Sequence, residues 1–153
     1  MDKTLFSAIL QVGIVVDNIE ASMDRWREYG FTTWSDIIPV DENTSPDTRQ
    51  FGEPLVYSTK IAMCDDLAVQ IELIEPVSGD SIYRRFLKEH GPGIHHLILE
   101  TRDGEFGKTV EFVDQRCKGE VMIQGGDPDL QFRYYDLEKD LGFVAEFFGD
   151  LNE

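Results

Sequence analysis

Glu146 stands inside "FVAEFF", among Phe143, Val144, Ala145, Phe147 and Phe148, and Glu72 lies inside "VQIELIEP". A carboxylate buried in such company is expensive unless something pairs with it, and a bound cation would do so. The stretch "GPGIHHLILET", Gly91 to Thr101, places two of the three histidines, His95 and His96, at the start of an apolar run. Gln11 interrupts a similar run, "ILQVGIVV". Singly, each has an ordinary reading: a strand glutamate on a solvated face, a hydrogen-bonded structural histidine. Together they are donors of the kind that hold a divalent ion. Successive strand residues point to opposite faces. At most one of His95 and His96 is therefore expected to look into a given cavity, and the spacing alone leaves open which.

The elements that must position these groups repeat. "ILQVGIVV" reads as a strand, and "DNIEASMDRWREYG" as a helix with Ile19, Met23 and Trp26 on one face. Asp17 followed by Glu20 resembles a capping box, and Gly30 suits a C-terminal cap. "FTTWSDIIPV" reads as a strand, Asp41 to Glu53 as a mobile loop with Pro46 and Gly52, and "LVYSTKIAM" and "AVQIELIE" as a hairpin. Pro76 is expected to end the last strand, Asp80 or Ser81 to cap a connector helix, and Gly91-Pro92-Gly93 to stop it. The pattern then restarts: strand "IHHLILET", helix "GEFGKTVEFVDQRCKG" with Phe106, Val110, Val113 and Cys117 on one face, and strands "EVMIQG", "LQFRYYD" and "GFVAEFF". Each half thus offers one polar group on its first strand (Gln11; His95 or His96) and one on its last (Glu72; Glu146).

With 153 residues, the chain is the size of one ordinary domain. Hydrophobic residues make up 41% and charged residues 29%, a globular composition. No run reaches the roughly 20 apolar residues of a membrane span, and no membrane role is expected. The apolar start lacks a cleavage pattern and reads as a first strand. Cys64 and Cys117 lie in different segments without metal-type spacing, which fits a reduced, cytoplasmic protein. The formal net charge of −16 would repel nucleic acid, which is excluded as a partner.

This layout resembles the vicinal oxygen chelate superfamily, which includes glyoxalase I, methylmalonyl-CoA epimerase, extradiol dioxygenases and drug-resistance proteins. The similarity runs over about residues 8 to 149. Its most specific part is "IELIEPVSGDSIYRRFLKEHGPGIHHLILE", which is similar to methylmalonyl-CoA epimerases. There a strand ending in Glu-Pro leads through a short helix to Gly-x-Gly-hydrophobic-His-His. The opening "QVGIVVDNIEASMDRWREYGF" resembles the superfamily's first strand and helix. The resemblance implies an α+β fold in which two βαβββ modules form one cupped, open-barrel mixed sheet around a metal site. It places one domain over 1–153, with modules at about 8–76 and 94–149 and a connector at about 77–93. It makes the second histidine, His96, the ligand, with Gln11, Glu72 and Glu146 completing the set. Epimerases usually carry histidine at the place of Gln11. Glutamine there resembles the glyoxalase I set of Gln, Glu, His and Glu, and it breaks the two-histidine, one-carboxylate triad that an extradiol dioxygenase needs.

Such a site implies one divalent ion, Zn, Co, Ni or Mn, acting as a Lewis acid on a carbonyl, with Glu146 and Glu72 as candidate bases. A proton returned to the same carbon from the other face gives epimerisation. Returned to the neighbouring carbon, it gives the glyoxalase isomerisation. The expected activity is a metal-dependent epimerase of the methylmalonyl-CoA kind. The alternatives are a glyoxalase I-like lactoylglutathione lyase and a non-catalytic small-molecule-binding protein. The substrate would be an acyl-CoA or a thiol adduct, with Arg84, Arg85 and Lys88 available for phosphates. Lys60 falls near a second acid/base position of the epimerases, although a solvated lysine is the plainer reading. Open sheet edges invite a homodimer.

Overall fold

The computed structural model describes residues 4–117, 120–127 and 129–151. In chain order the elements are β1 (Phe6–Val15), α1 (Ile19–Glu28), β2 (Ile38–Val40), β3 (Arg49–Gln50), β4 (Glu53–Pro54), β5 (Ser58–Cys64) and β6 (Gln70–Ser78). There follow α2 (Ile82–His90), β7 (Gly93–Thr101), α3 (Phe106–Arg116), β8 (Ile123–Gly126), β9 (Gln131–Asp136) and β10 (Val144–Gly149). The ten strands form one mixed sheet in the order β2-β5-β6-β1-β7-β10-β9-β8-β3-β4, curled into a half-barrel. The second half mirrors the first. The first strands, β1 and β7, pair antiparallel at the centre. Each half's last strand, β6 or β10, runs parallel to the first strand of its own half.

Alternation along the strands sorts the sheet into two faces. Ile71 and Leu73 pack outward with Ile19 and Met23 of α1. Ala145 and Phe147 pack with Phe106, Val110 and Val113 of α3. The residues between them, Glu72 and Ile74 on β6 and Val144 and Glu146 on β10, face the inside, where Ile74 and Val144 share a core with Ile82 and Tyr83 of α2. The apolar neighbours of Glu146 in sequence are therefore mostly its neighbours through the sheet.

Local chemistry sets the helix ends. Asn18, one residue later than expected, caps α1, its side chain accepting from the Ala21 N–H at 2.8 Å. Ser81 caps α2. Gly91, at φ 85°, ends α2 in the left-handed region that glycine tolerates.

Three expectations need correction. Only Ile38–Val40 of "FTTWSDIIPV" forms a strand, with an isolated bridge from Trp34 to Cys64. β6 runs through Pro76 to Ser78, because the register against β5 slips there and the missing N–H falls at an irregularity. The segment 41–53 begins as turns, as a loop would, but Arg49–Gln50 pairs with Glu53–Pro54 in a short ribbon, β3–β4, and with β8 of the other half. Its Ser45, Thr48 and Gln50 are buried. The Gln50 side chain accepts from the Ile82 N–H at 2.7 Å and donates to the Asp80 carbonyl at 2.9 Å, tying the ribbon to the start of α2.

The edge strands β2 and β4 have three and two residues, and Pro54 sits in the latter. Such edges are blunt, so they add nothing to the expectation of a homodimer. Among the described residues no helix is long and apolar enough to cross a membrane. Cys64 and Cys117 are both free.

Candidate active site

The four expected donors occupy four adjacent central strands: Glu72 on β6, Gln11 on β1, His96 on β7 and Glu146 on β10. The register sets them in two neighbouring rows. Glu72 pairs with Gly13, which pairs with His96. Gln11 pairs with Ile98, which pairs with Glu146. Strands lie about 4.8 Å apart, so Glu72 and His96, two strands apart, start roughly 10 Å from each other at the backbone. Gly13 between them closes that distance. With no side chain there, the imidazole leans across, and a Cβ built on Gly13 would lie 2.0 Å from its Cε1. His96 Nε2 thereby reaches 3.1 Å from Glu146 Oε2, 3.7 Å from Glu72 Oε2 and 3.4 Å from the Tyr134 hydroxyl.

Gln11 is turned by a relay. Gln70 donates its amide N–H to Asp65 at 2.8 Å, which points its carbonyl at the Gln11 amide nitrogen. Gln11 donates there and is left with Oε1 buried and unpartnered. Glu146 Oε2 is buried too, with no hydrogen bond of good geometry and His96 Nε2 as its near neighbour at 3.1 Å. Orphaned buried oxygens are rare and call for a partner.

Electrostatics agree. Burial, and then the Glu146 charge, push the Glu72 carboxyl up to about 8. Burial, and then the Glu146 charge, hold the Tyr83 and Tyr134 phenols well above their usual range, so both remain neutral donors. A cation placed between the carboxylates would offset the burial and the Glu146 charge that act on Glu72. In chemical type, an imidazole, two carboxylates and an amide oxygen suit a divalent ion. Among the described residues, no group of three or more His, Cys, Asp or Glu is placed so that it could hold a metal ion as the side chains stand.

A cavity of about 190 Å³ opens beside Glu72 and Glu146, lined also by Tyr57, Tyr83, Phe132 and Tyr134. Larger clefts exist, one of about 370 Å³ beside Arg116 and Cys117, but none of the four donors lines it. Val40 and Tyr57, which flank the ribbon segment, both line the 190 Å³ cavity.

The two histidines do not part as alternation requires. Gly13 pairs with His96 and Ile14 with Ile94, so His95 is an extra residue in β7, a β-bulge. Both imidazoles are buried, and their Nδ1 atoms lie 3.0 Å apart. Burial, and then the His96 charge, push His95 down to about 3.

Lys60 is outside the site, ion-paired with Glu20 at 3.5 Å and Glu75 at 3.7 Å. Arg84, Arg85 and Lys88 lie on the exposed face of α2, opposite Tyr83, where Arg85 pairs with Asp80 at 2.8 Å. Sequence reasoning missed Gly13, Gln70 and the tyrosines Tyr57, Tyr83 and Tyr134. Only Gly13, a glycine inside a strand pattern, carried a signal of close approach.

A family model for the Glyoxalase/Bleomycin resistance protein/Dioxygenase superfamily matches residues 10–114. Among solved structures, the chain is similar to methylmalonyl-CoA epimerase from Mycobacterium tuberculosis at 16% identity and TM-score 0.66, covering 98% of this chain and 92% of that one. A methylmalonyl-CoA epimerase in complex with methylmalonyl-CoA and NH4+ shares 19% identity at TM-score 0.62, with 95% of each chain covered. A Streptomyces coelicolor methylmalonyl-CoA epimerase variant in complex with 2-nitronate-propionyl-CoA shares 20% identity at TM-score 0.63, with 95% of each covered. At these identities the likeness is one of fold. No curated protein matches the sequence.

Proposed function

Because the chain belongs to the glyoxalase/bleomycin resistance protein/dioxygenase superfamily, we propose that it is a metal-dependent isomerase that moves a proton next to a carbonyl, an epimerase of the methylmalonyl-CoA kind. The observation that carries this is the buried cluster of one imidazole and two carboxylates beside an aromatic cavity, His96 Nε2 lying 3.1 Å from Glu146 Oε2 and 3.7 Å from Glu72 Oε2, with Gln11 Oε1 buried and unpartnered one row away. Gln11, Glu72, His96 and Glu146 would hold one divalent ion, Zn, Co, Ni or Mn. When bound, that ion supplies Lewis-acid polarisation of a substrate carbonyl.

The remaining work falls to the chain. Glu72 and Glu146 lie on the strands that flank the β1–β7 pair. One carboxylate can take the α-proton and a group across the substrate can return it to the opposite face, which inverts the carbon. The neutral Tyr134 phenol, close to His96, can donate a hydrogen bond to oxygen as charge develops there. Tyr57, Tyr83 and Phe132 line the cavity and limit access of water. The exposed Arg84, Arg85 and Lys88 are where phosphates of an acyl-CoA would find charge. A cytoplasmic homodimer acting on a small molecule accords with this reading.

Deuterium wash-in at the α-carbon of 2-methyl-branched acyl-CoA thioesters, with zinc-loaded protein, tests the proposal. Exchange is expected, and no exchange with any such thioester removes it. A second reading, a glyoxalase I-like lyase on a thiol–ketoaldehyde adduct, is favoured by two features. Gln11 stands where epimerases have histidine, and the described cavity lining includes neither Lys nor Arg to meet a substrate carboxylate. Turnover of hemithioacetals made with glutathione and with other thiols separates the two.

A further inference from the structure

The bulge that brings the two histidines together gives His95 a role that alternation would have denied it. His95 has no partner across the β1–β7 ladder, and a bulge re-aims side chains locally. The result is a contact between unlike environments. On one side is His96, 1% exposed, its Nε2 directed at two carboxylates and a phenol. On the other is His95, 8% exposed and walled by Tyr83 and Phe86 of α2 and Tyr134 of β9, with ring centroids 5.3, 5.1 and 6.4 Å away.

Two imidazole Nδ1 atoms 3.0 Å apart share one proton, because two N–H groups would clash and two lone pairs would repel. If His95 donated, neutral His96 would carry its own proton on Nε2, with no lone pair there to offer a cation. If His96 donates, its Nε2 keeps a lone pair available, and its ring is fixed at both ends. Metal-ligating histidines generally have the second nitrogen anchored in this way.

We propose that His95 is the positioning residue of the site: its Nδ1 accepts the Nδ1–H of His96, which fixes the rotation of that ring and commits its Nε2 to the side of Glu72 and Glu146. The inference rests on the reading of His96 as a cation donor, since without a cation an Nε2–H would instead meet Glu146 Oε2 at 3.1 Å.

Its consequences for tautomer and affinity are measurable on the full chain. A long-range proton–nitrogen correlation spectrum of zinc-loaded protein labelled in its histidines is expected to show His95 protonated on Nε2 and bare at Nδ1. A proton on His95 Nδ1 overturns the proposal. Zinc affinity, by competition with a chelating dye, is then compared in His95→Leu, which fills the volume without an acceptor, and His95→Asn, which restores an oxygen near the place of Nδ1. The leucine variant is expected to lose about 10- to 100-fold in affinity, with the asparagine variant recovering most of it. Thermal midpoints of both are followed alongside. Equal affinities in the two variants point to packing alone and overturn the proposal. A wild type that takes up no zinc sinks the cation reading and this inference with it, whereas zinc uptake with a proton on His95 Nδ1, or with equal affinities in the two variants, sinks this inference alone.

Discussion

Gly13→Ala is the smallest change that should disable the site. The alanine methyl would lie 2.0 Å from Cε1, 2.4 Å from Nε2 and 2.5 Å from Nδ1 of His96. Ordinary contact begins at 3.4 Å, so the nearest ring atom must retreat by about 1.4 Å. It has little room to do so. The ring is 1% exposed, Tyr134 packs against it at 4.8 Å between centroids, and His95 holds its Nδ1. Overpacking of this kind costs about 1–3 kcal/mol. The functional loss should be larger, because a misplacement of about 1 Å can cost roughly 10² in rate. Urea unfolding gives the first quantity, and zinc affinity with single-turnover proton exchange gives the second. Gly93→Ala on β7 is the control, since its methyl would press only on the exposed His90 ring, at 3.2 Å. A Gly13→Ala protein with wild-type stability, zinc affinity and exchange would refute the claim that an empty place on β1 seats the imidazole.

Gln70→Leu should free the Gln11 amide to rotate and weaken zinc binding by about 10-fold or more, as losses of outer-shell partners do. Unchanged affinity would show that the Asp65–Gln70–Gln11 relay does not orient Gln11. Glu146→Gln keeps an oxygen but removes the basic carboxylate, so proton exchange should fall by ~10² or more while zinc is weakened or kept. Full exchange would move the proton to Glu72 or another group. Stability against pH should show the signature of Asp66. Hydrogen bonds from the Thr33 backbone, and then from its hydroxyl, depress its carboxyl to about 2 from an ordinary 3.8. A depressed folded value stabilises above the unfolded one, so this contribution is complete above about pH 4 and fades as pH falls toward about 2. Asp66→Asn should flatten that stretch of the profile, and an unchanged slope would count against it.

The sequence showed what periodicity and local chemistry encode. Ser81, one of two candidate caps, and Gly91 marked the ends of α2, while alternation alone left the faces of Glu72 and Glu146 open and the family resemblance singled them out. Local signals failed where a long-range pairing overrode them. The polar run from Asp41 to Glu53 has loop composition, yet backbone pairing with β8 and the grip of Gln50 on α2 hold it in place. His95 looked like an outward residue because period two was assumed through a point where β7 holds one residue too many. Gln70 carries no signal of its own, since its role exists only beside Gln11 and Asp65. Pro76 resembled a stop because a register slip that accommodates it is invisible along one strand.

The ribbon β3–β4 also bears on how the chain comes apart. It is encoded in the first half and completes the edge of the second half at β8. A chain cut at the connector would give an N-terminal piece with an orphaned ribbon and a C-terminal piece with a bare strand. Neither fragment inherits a finished sheet, so the halves are bound to melt in one cooperative step although their topology repeats. The same crossing raises the mean sequence separation of native contacts, which slows folding relative to two modules closing independently. An ancestor built from one module would have needed a second copy in trans to supply that missing edge.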